Sequence, residues 1–339
     1  MLRWLLLRCL WMVPTLLGIT LVTFFVLDLA PVDRATMELA QRKEQASVVD
    51  ANAHEYSLAR LRIRYGLVDE RTLQPVPVLL RYGRWLWNAV NLRFCGDGED
   101  PVAFRRRIAE ALPVSLLIGF WALVAALAIG APLGSWLGMR TGSAADRTAT
   151  AVMFALFGLP EVLVATLLVL LFCGPVFDWF PSVGLHSDRL GPQSVLAQLF
   201  DLAWHLVLPV AVMAIAPALL ITRFLRESVG RVATSTFALN LEAWGVDAHT
   251  RRRRLLRAGF APVATLIGSL LPQLIGGSIV VETVFSIEGA GRLAWNAVRN
   301  QDQAMVMFVV LLASIATLLS LLLSDVAHRW IDPRVRLAA

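Results

Sequence analysis

Lysine is almost missing from this 339-residue chain: Lys43 is the only one among 31 basic residues, and the rest are arginine. No Gly-x-x-x-x-Gly-Lys-Ser/Thr loop occurs, so ATP is not cradled in that manner. Charge of either sign is scarce as well, at 17% of residues against a usual ~25%. An ordinary soluble enzyme could not clothe its surface in polar groups with so few. Cysteine is limited to Cys9 and Cys173, in apolar runs, and Cys95, in a polar stretch. Without Cys-x-x-Cys or Cys/His spacing, a disulfide framework and a metal site are both excluded as expectations. There is no His-Glu-x-x-His and no Gly-x-Ser-x-Gly elbow. The chain is therefore expected to be non-catalytic, with no catalytic residue and no metal or cofactor of its own.

What fills the chain instead is apolar. Hydrophobic residues make up 57%, and the mean hydropathy is +0.65. A helix needs about 20 apolar residues to cross a bilayer. Cys9–Leu27, Ala111–Met139, His205–Thr222, Ala258–Val281 and Gln303–Ser324 carry no charged side chain, and Thr148–Phe177 is interrupted only by Glu161. These runs predict six spans and an all-α membrane protein. Prolines 14, 160, 209, 217 and 272 do not veto them, because neighbouring helices can satisfy the carbonyls that a buried Pro frees. Arg3 and Arg8 before the first run resemble the basic region of a signal peptide. The run is longer than the usual ~7–15 residues, which favours a retained anchor.

Arginine placement sets the orientation. With the N-terminus inside, the short inner segments 1–8, 140–147, 223–257 and 325–339 hold 15 basic residues, and the short outer segments hold only Arg189, Arg292 and Arg299. Positive loops stay cytoplasmic, so both termini are expected inside. The basic balance, net +6, is thus accounted for by a membrane and lipid headgroups rather than by nucleic acid. The segment 31–110 lies outside and is too long for a plain connection. Residues 34–64 read as helical, Val78 to Val90 as an amphipathic helix along the membrane surface, and Cys95 to Pro101 as a turn cluster. Arg105–Arg107 open a short helix into the second span. Two readings stand side by side for this segment: a folded cap on the bundle, or a docking surface or gate.

The inner loop 223–257 is Arg-rich. Its arginines serve either the positive-inside rule and lipid headgroups or a protein partner. The run Phe237-Ala238-Leu239-Asn240-Leu241-Glu242-Ala243-Trp244-Gly245 reads as a short amphipathic helix stopped by a glycine. An apolar helix protruding from a cytoplasmic loop needs a groove to sit in. Glu161, beside Pro160, falls near the middle of the third span, where an ionisable group faces the bundle interior or water. It is read as a local hydrogen-bonding group, as a pathway residue, or as a proton-coupling residue. His205 and His328 fall at span ends, where anchoring at the interface is the expectation.

In the later segments, Gly276-Gly277-Ser278-Ile279-Val280-Val281-Glu282-Thr283-Val284-Phe285-Ser286 and Gly289-Ala290-Gly291-Arg292-Leu293 resemble the Glu-Thr-Val/Ile-Phe-Ser-Trp-Pro-Gly-Leu-Gly-Arg pattern of permease subunits of bacterial ABC importers for dipeptides and oligopeptides, of the dipeptide permease B type. Ile287 and Glu288 replace the family's Trp-Pro. Asn300-Gln301-Asp302, the closing Asp332-Pro333-Arg334-Val335-Arg336, and the opening Met12 to Leu21 with Leu29-Ala30-Pro31-Val32-Asp33 are similar to the same family in the same order. In the loop, Gly245 matches the family's coupling-loop glycine, and Pro262 falls near its proline. Phe237, Leu241 and Trp244 replace its Tyr, Ala and Lys.

The resemblance implies a type I, six-transmembrane-helix ABC importer permease with a long external segment after the first helix. Its parts would be an N-terminal helix 1–30, an external segment 31–110, a core of five helices 111–329 with a coupling loop 223–260, and a tail 330–339. It implies a multi-pass protein of the bacterial cytoplasmic (inner) membrane. Partners would be a second homologous permease, two cytoplasmic ATPase subunits that hold the ATP and Mg, and an external substrate-binding protein. Leu241, Glu242, Ala243, Trp244, Gly245, Val246 and Asp247 would form the ATPase-coupling site. Glu161, Glu282, Phe285, Gly289, Gly291 and Arg292 would line the pathway or its outer gate. Cargo in such systems is a dipeptide or oligopeptide; antimicrobial peptide, glutathione or nickel are alternatives. An ion-coupled secondary transporter would instead show inverted repeats and charged pairs within its spans, and neither is evident.

Overall fold

A computed structural model describes residues 2–30, 33–45, 51–95, 100–174, 177–187, 194–260, 266, 268, 270 and 278–331. Among them the regular elements are all helical: α1 (Leu2–Asp28), α2 (Arg34–Gln45), α3 (Ala51–Arg64), α4 (Val78–Val90), α5 (Pro101–Gly138), α6 (Ala144–Phe157), α7 (Glu161–Phe172), α8 (Val195–Ala233), α9 (Thr236–Ala243), α10 (Ala248–Gly259), α11 (Ile279–Val284), α12 (Ala290–Arg299) and α13 (Gln303–Ile331). The one strand-like feature there is a bridge between Val68 and Pro75.

Among the described residues four helices are long and apolar enough to cross a membrane: Leu5–Asp28, Pro101–Gly138, Val195–Ala233 and Gln303–Val326. The predicted third span is not one rod. It is divided into α6 and α7, which meet at 95°. The break follows from its residues. Pro160 has no N–H to continue the ladder, and it caps α7 with an extended ψ of 136°. The predicted fifth span, Ala258–Val281, lies mostly outside the described residues; of its interior, Leu266, Gly268 and Leu270 are described. Two boundaries also move. Arg105–Arg107 belong to α5 itself rather than to a separate helix, and α8 extends well beyond His205–Thr222 at both ends.

The chain divides into two compact units. One comprises Met1–Leu112 with Ala290–Ile315. Its core gathers Phe104, Ala297, Ala304, Met305 and Val306, with Phe308 edge-on to Phe94 and Phe104. A small second cluster closes α2 on α3 through Ala35, Leu39 and Leu61. The helix α4 lies against α1, where Tyr82 meets Thr20 at 3.1 Å and Phe24 edge-on. It buries no residue, and Leu79, Leu80, Trp87 and Val90 stay exposed.

The other unit comprises Pro113–Gly289 with Ala316–Ala339. Its main core sets Ala122 and Ala126 of α5 against Ala214, Ala218, Ile221, Leu225 and Val229 of α8. The fit depends on Gly130, Gly134 and Gly138, spaced by four on one face of α5. A Cβ on Gly134 would come within 2.6 Å of the Thr222 carbonyl oxygen, and one on Gly130 within 2.7 Å of that of Ala218. Small residues at this spacing let helix backbones approach closely in membranes. The Thr222 hydroxyl lies in the same contact and donates to the Ala218 and Gly130 carbonyls at 2.7 and 3.4 Å.

Candidate functional site

The long helix α8 ends at Thr234, and Ser235 caps the start of α9. On α9 the side chains of Ala238 and Leu241 turn inward and pack with Leu255 of α10, flanked by Met139, Val232 and Val246. Leu241 is 2% exposed, so its burial contributes about 2 kcal/mol to holding α9 in place. Within the predicted coupling run, Leu241 is therefore the anchor of the helix and not part of its outer face. Phe237 and Trp244, seven residues apart, share one outer side at 44% and 77% exposed, while Leu239, 62% exposed, projects from a different side of the helix. Exposed apolar groups this large, concentrated on eight residues of helix, form the kind of patch that marks a protein contact.

The turn after α9 is closed by backbone chemistry. Gly245 adopts φ +69°. Its N–H donates to the Glu242 carbonyl at 2.9 Å, and the Val246 N–H donates to the Leu241 carbonyl at 3.1 Å. These two bonds are the Schellman pattern, with glycine at the left-handed position and an apolar contact from Val246 back to Leu241. Asp247 then caps α10 by accepting from the Thr250 N–H at 2.9 Å. That backbone bond holds the Asp247 carboxyl below the usual carboxylate range. Arg251 pairs with Glu242 at 3.1 Å. Ala243 and Glu242 are exposed beside Trp244. The predicted site residues 241–247 are thus brought together as one helix–turn–helix knob.

A pair that sequence reasoning missed supports this knob. Asp146, in the first turn of α6, has a side chain only 2% exposed and forms a two-point ion pair with Arg226 of α8. The Asp146 carboxylate also accepts from the Gly142 N–H at 2.9 Å. Arg226 stands two turns before the end of α8 and fixes the stem that carries α9. Nothing in a single sequence links positions 80 residues apart. Asp146→Ala is expected to cost about 3 kcal/mol by stranding the Arg226 guanidinium, while Asp146→Ala with Arg226→Met recovers much of it. A denaturation series in detergent on both variants checks this.

The predicted pathway residues separate into three places. Glu161 opens α7 at the 95° break, is exposed, and accepts a hydrogen bond from the Ser278 hydroxyl at 3.0 Å. Both border a cavity of about 340 Å³, lined also by Phe157, Val212, Ile215 and Pro217. Glu282, Phe285 and Gly289 come together and are buried. The Ser115 hydroxyl donates to the Glu282 carboxylate at 2.6 Å, and a Cβ on Gly289 would come within 2.5 Å of that same carboxylate. The Phe285 carbonyl accepts from the Gly184 N–H at 3.0 Å. Gly291 is buried and Arg292 half-buried at the start of α12. His205, expected as an interface anchor, is buried in α8 with Nδ1 2.8 Å from the Asp201 carbonyl, while Asp201 also holds Ser187. His328 has no described side chain.

Several helices long and apolar enough to cross a membrane mark a multi-pass helical membrane protein. Residues 130–337 match the family described as binding-protein-dependent transport system inner membrane component, and the chain belongs to it. It is thereby the permease component of an ABC transport system. Similarity to curated proteins runs the length of the chain. The peptidoglycan transport system permease protein YejB of Agrobacterium fabrum is 28% identical, with 96% of this chain and 95% of the relative covered. The oligopeptide transport system permease protein AppB of Bacillus subtilis is 27% identical, with 97% of each covered. A putative peptide permease protein of Brucella ovis is 30% identical, with 99% of each covered.

Proposed function

We propose that this chain forms half of the translocation pathway of an ATP-driven importer for peptides. A second homologous permease supplies the other half, an external binding protein delivers the cargo, and two cytoplasmic ATPase subunits bind and hydrolyse ATP with Mg. The observation that carries the reading is the knob at α9, which leaves Phe237, Leu239 and Trp244 exposed on a helix and turn anchored by the buried Ala238 and Leu241. A stiff element of this kind transmits closure of an ATPase pair to the spans as a rigid-body movement. The arginine distribution supports a bacterial cytoplasmic membrane location with both termini and α9 inside. Peptide cargo is supported by the similarity to oligopeptide and peptide permeases of other bacteria. Glu161, exposed at the break of α6 and α7, is read as a pathway residue, because an ionisable group within a span requires water or a polar partner. Glu282, Phe285 and Gly289, with Gly291 and Arg292, are read as residues of the outer gate.

The test is to co-express the chain with its neighbouring permease and ATPase genes, purify through the permease, and measure peptide-stimulated hydrolysis with the binding protein. Trp244→Ala is expected to leave the permease folded and in the membrane. It should weaken retention of the ATPases roughly tenfold or more, as loss of a central aromatic anchor does. Full retention of the ATPases by that variant, or concentrative peptide uptake by the permeases without ATPases, would refute the reading.

A further inference from the structure

The unit formed by Met1–Leu112 and Ala290–Ile315 holds a second cavity, also of about 340 Å³. Its level is set by the elements that surround it. Phe24, Leu27 and Asp28 come from the last turns of the α1 span, Gln303 and Ala304 from the first residues of the α13 span, and Arg81, Arg84 and Trp85 from the surface helix α4. Where one span ends and another begins, the wall lies at the boundary between hydrocarbon and water. Trp and Arg are the side chains that settle there.

The cavity's charge is lopsided. Arg34, Arg62, Arg81, Arg84 and Arg93 face it, against Asp28 and Asp33. Three of the five arginines are committed. Arg81 pairs with Asp28, Arg62 with Asp33 at 2.8 Å, and Arg34 with the buried Asp302 at 3.1 Å. Arg84 and Arg93 form no ion pair among the described residues, and Arg84 feels Asp69 only at longer range. The Gln303 carbonyl accepts from Arg81 at 3.0 Å, which fixes the amide so that its Nε2 is a buried donor without an acceptor. Buried donors of this kind are seldom left unmade. Apart from Asn88 and Gln301, the rest of the lining is mostly apolar or aromatic, including Phe24, Leu67, Val68 and Trp85.

Two unmatched guanidinium groups and a partly apolar wall at the level of the headgroups ask for one chemistry. We propose that this cavity binds the phosphodiester headgroup of an anionic phospholipid from the outer leaflet, with Arg84 and Arg93 donating to the phosphate. Guanidinium matches a phosphate in geometry and charge, and the apolar side lets the first acyl carbons leave without exposing them to water. The lipid would tie α4 to the ends of the α1 and α13 spans and hold the external segment in one posture.

The full chain, purified in mild detergent with its partner permease, is exchanged into defined mixtures of phosphatidylglycerol and phosphatidylcholine and examined by native mass spectrometry and thermal melting. Phosphatidylglycerol should be retained over phosphatidylcholine and should raise the melting temperature. In Arg84→Gln with Arg93→Gln that preference should fall about tenfold, the scale of one charge-assisted hydrogen bond. Both arginines are exposed, so the variant keeps its internal ion pairs. A melting temperature in phosphatidylcholine equal to that of the unmodified chain verifies its fold. Equal retention of the two lipids, or an unchanged preference in the variant, overturns the proposal. So does displacement of the lipid by an equimolar soluble glycerol phosphate, which would assign the cavity to a free anion. A variant that keeps its lipid preference but loses affinity for the external binding protein also overturns it, in favour of a protein contact.

Discussion

Gly245→Val in the assembled transporter should abolish concentrative uptake while ATP hydrolysis by the partner subunits continues. The reason lies in the backbone and not in space. Nothing stands within 4 Å of a Cβ built at Gly245, yet its φ is +69°. A left-handed conformation costs an L residue about 1–2 kcal/mol, and a β-branched residue is a genuine outlier there. Valine would force the turn open and break the bonds from Gly245 and Val246 to the Glu242 and Leu241 carbonyls. Trp244 and Phe237 would then no longer share one face, so closure of the ATPases would move nothing. Gly245→Asn, which tolerates the left-handed region, should retain most of the uptake, with Gly245→Ala between the two. Uptake and hydrolysis measured together in proteoliposomes decide it. Normal coupled uptake by the valine variant would show that the turn is not the transmitting element.

That turn was legible in the sequence because its signals are local. An apolar run of helical period stopped by a glycine gave α9 and its end. The amphipathic pattern from Val78 to Val90 gave α4 at the bounds observed, and charge-free runs gave four of the spans. The break at Pro160 was less legible, since a proline within a span is compatible both with a continuous helix and with a 95° bend. Only the neighbours that receive the freed carbonyls decide between them. Leu241 was identified with the docking residues because a helical period gives two faces without saying which is covered. The cover comes from Leu255 and Met139, remote or charged-loop positions that no local pattern ties to it. The Asp146–Arg226 pair is invisible for the same reason. For the arginines of segment 31–110 no local pattern names the partners, which the fold supplies: Asp33 for Arg62 and Asp28 for Arg81.

The row Gly130, Gly134 and Gly138 is the opposite case: a Gly-x-x-x-Gly repeat inside an apolar run is visible in the sequence, but its partner is not. The structure assigns the partner as α8, and the distances set the size of the effect. At Gly134 an added Cβ would lie 2.6 Å from the Thr222 carbonyl oxygen and 2.9 Å from its Cα, and at Gly138 2.9 Å from the Arg226 carbonyl oxygen. These are backbone atoms of a helix and cannot swing aside. Gly134→Ala is expected to destabilise the protein by about 1–3 kcal/mol, the usual scale of overpacking. Gly134→Leu should prevent α5 from seating on α8 at all and remove most folded protein from the membrane. Gly18→Leu provides the control, because nothing stands within 4 Å of its Cβ position. Fluorescence-detected gel filtration of the three variants reads the difference directly, with monodisperse Gly134→Leu at the level of the unmodified chain as the result that would refute it. The consequence reaches function through α8, which carries the α5 contact, Arg226 and the stem of α9 on one rod. Loss of the glycine row should therefore release the ATPases even in whatever fraction of Gly134→Ala remains folded, whereas Trp244→Ala releases them with the bundle intact.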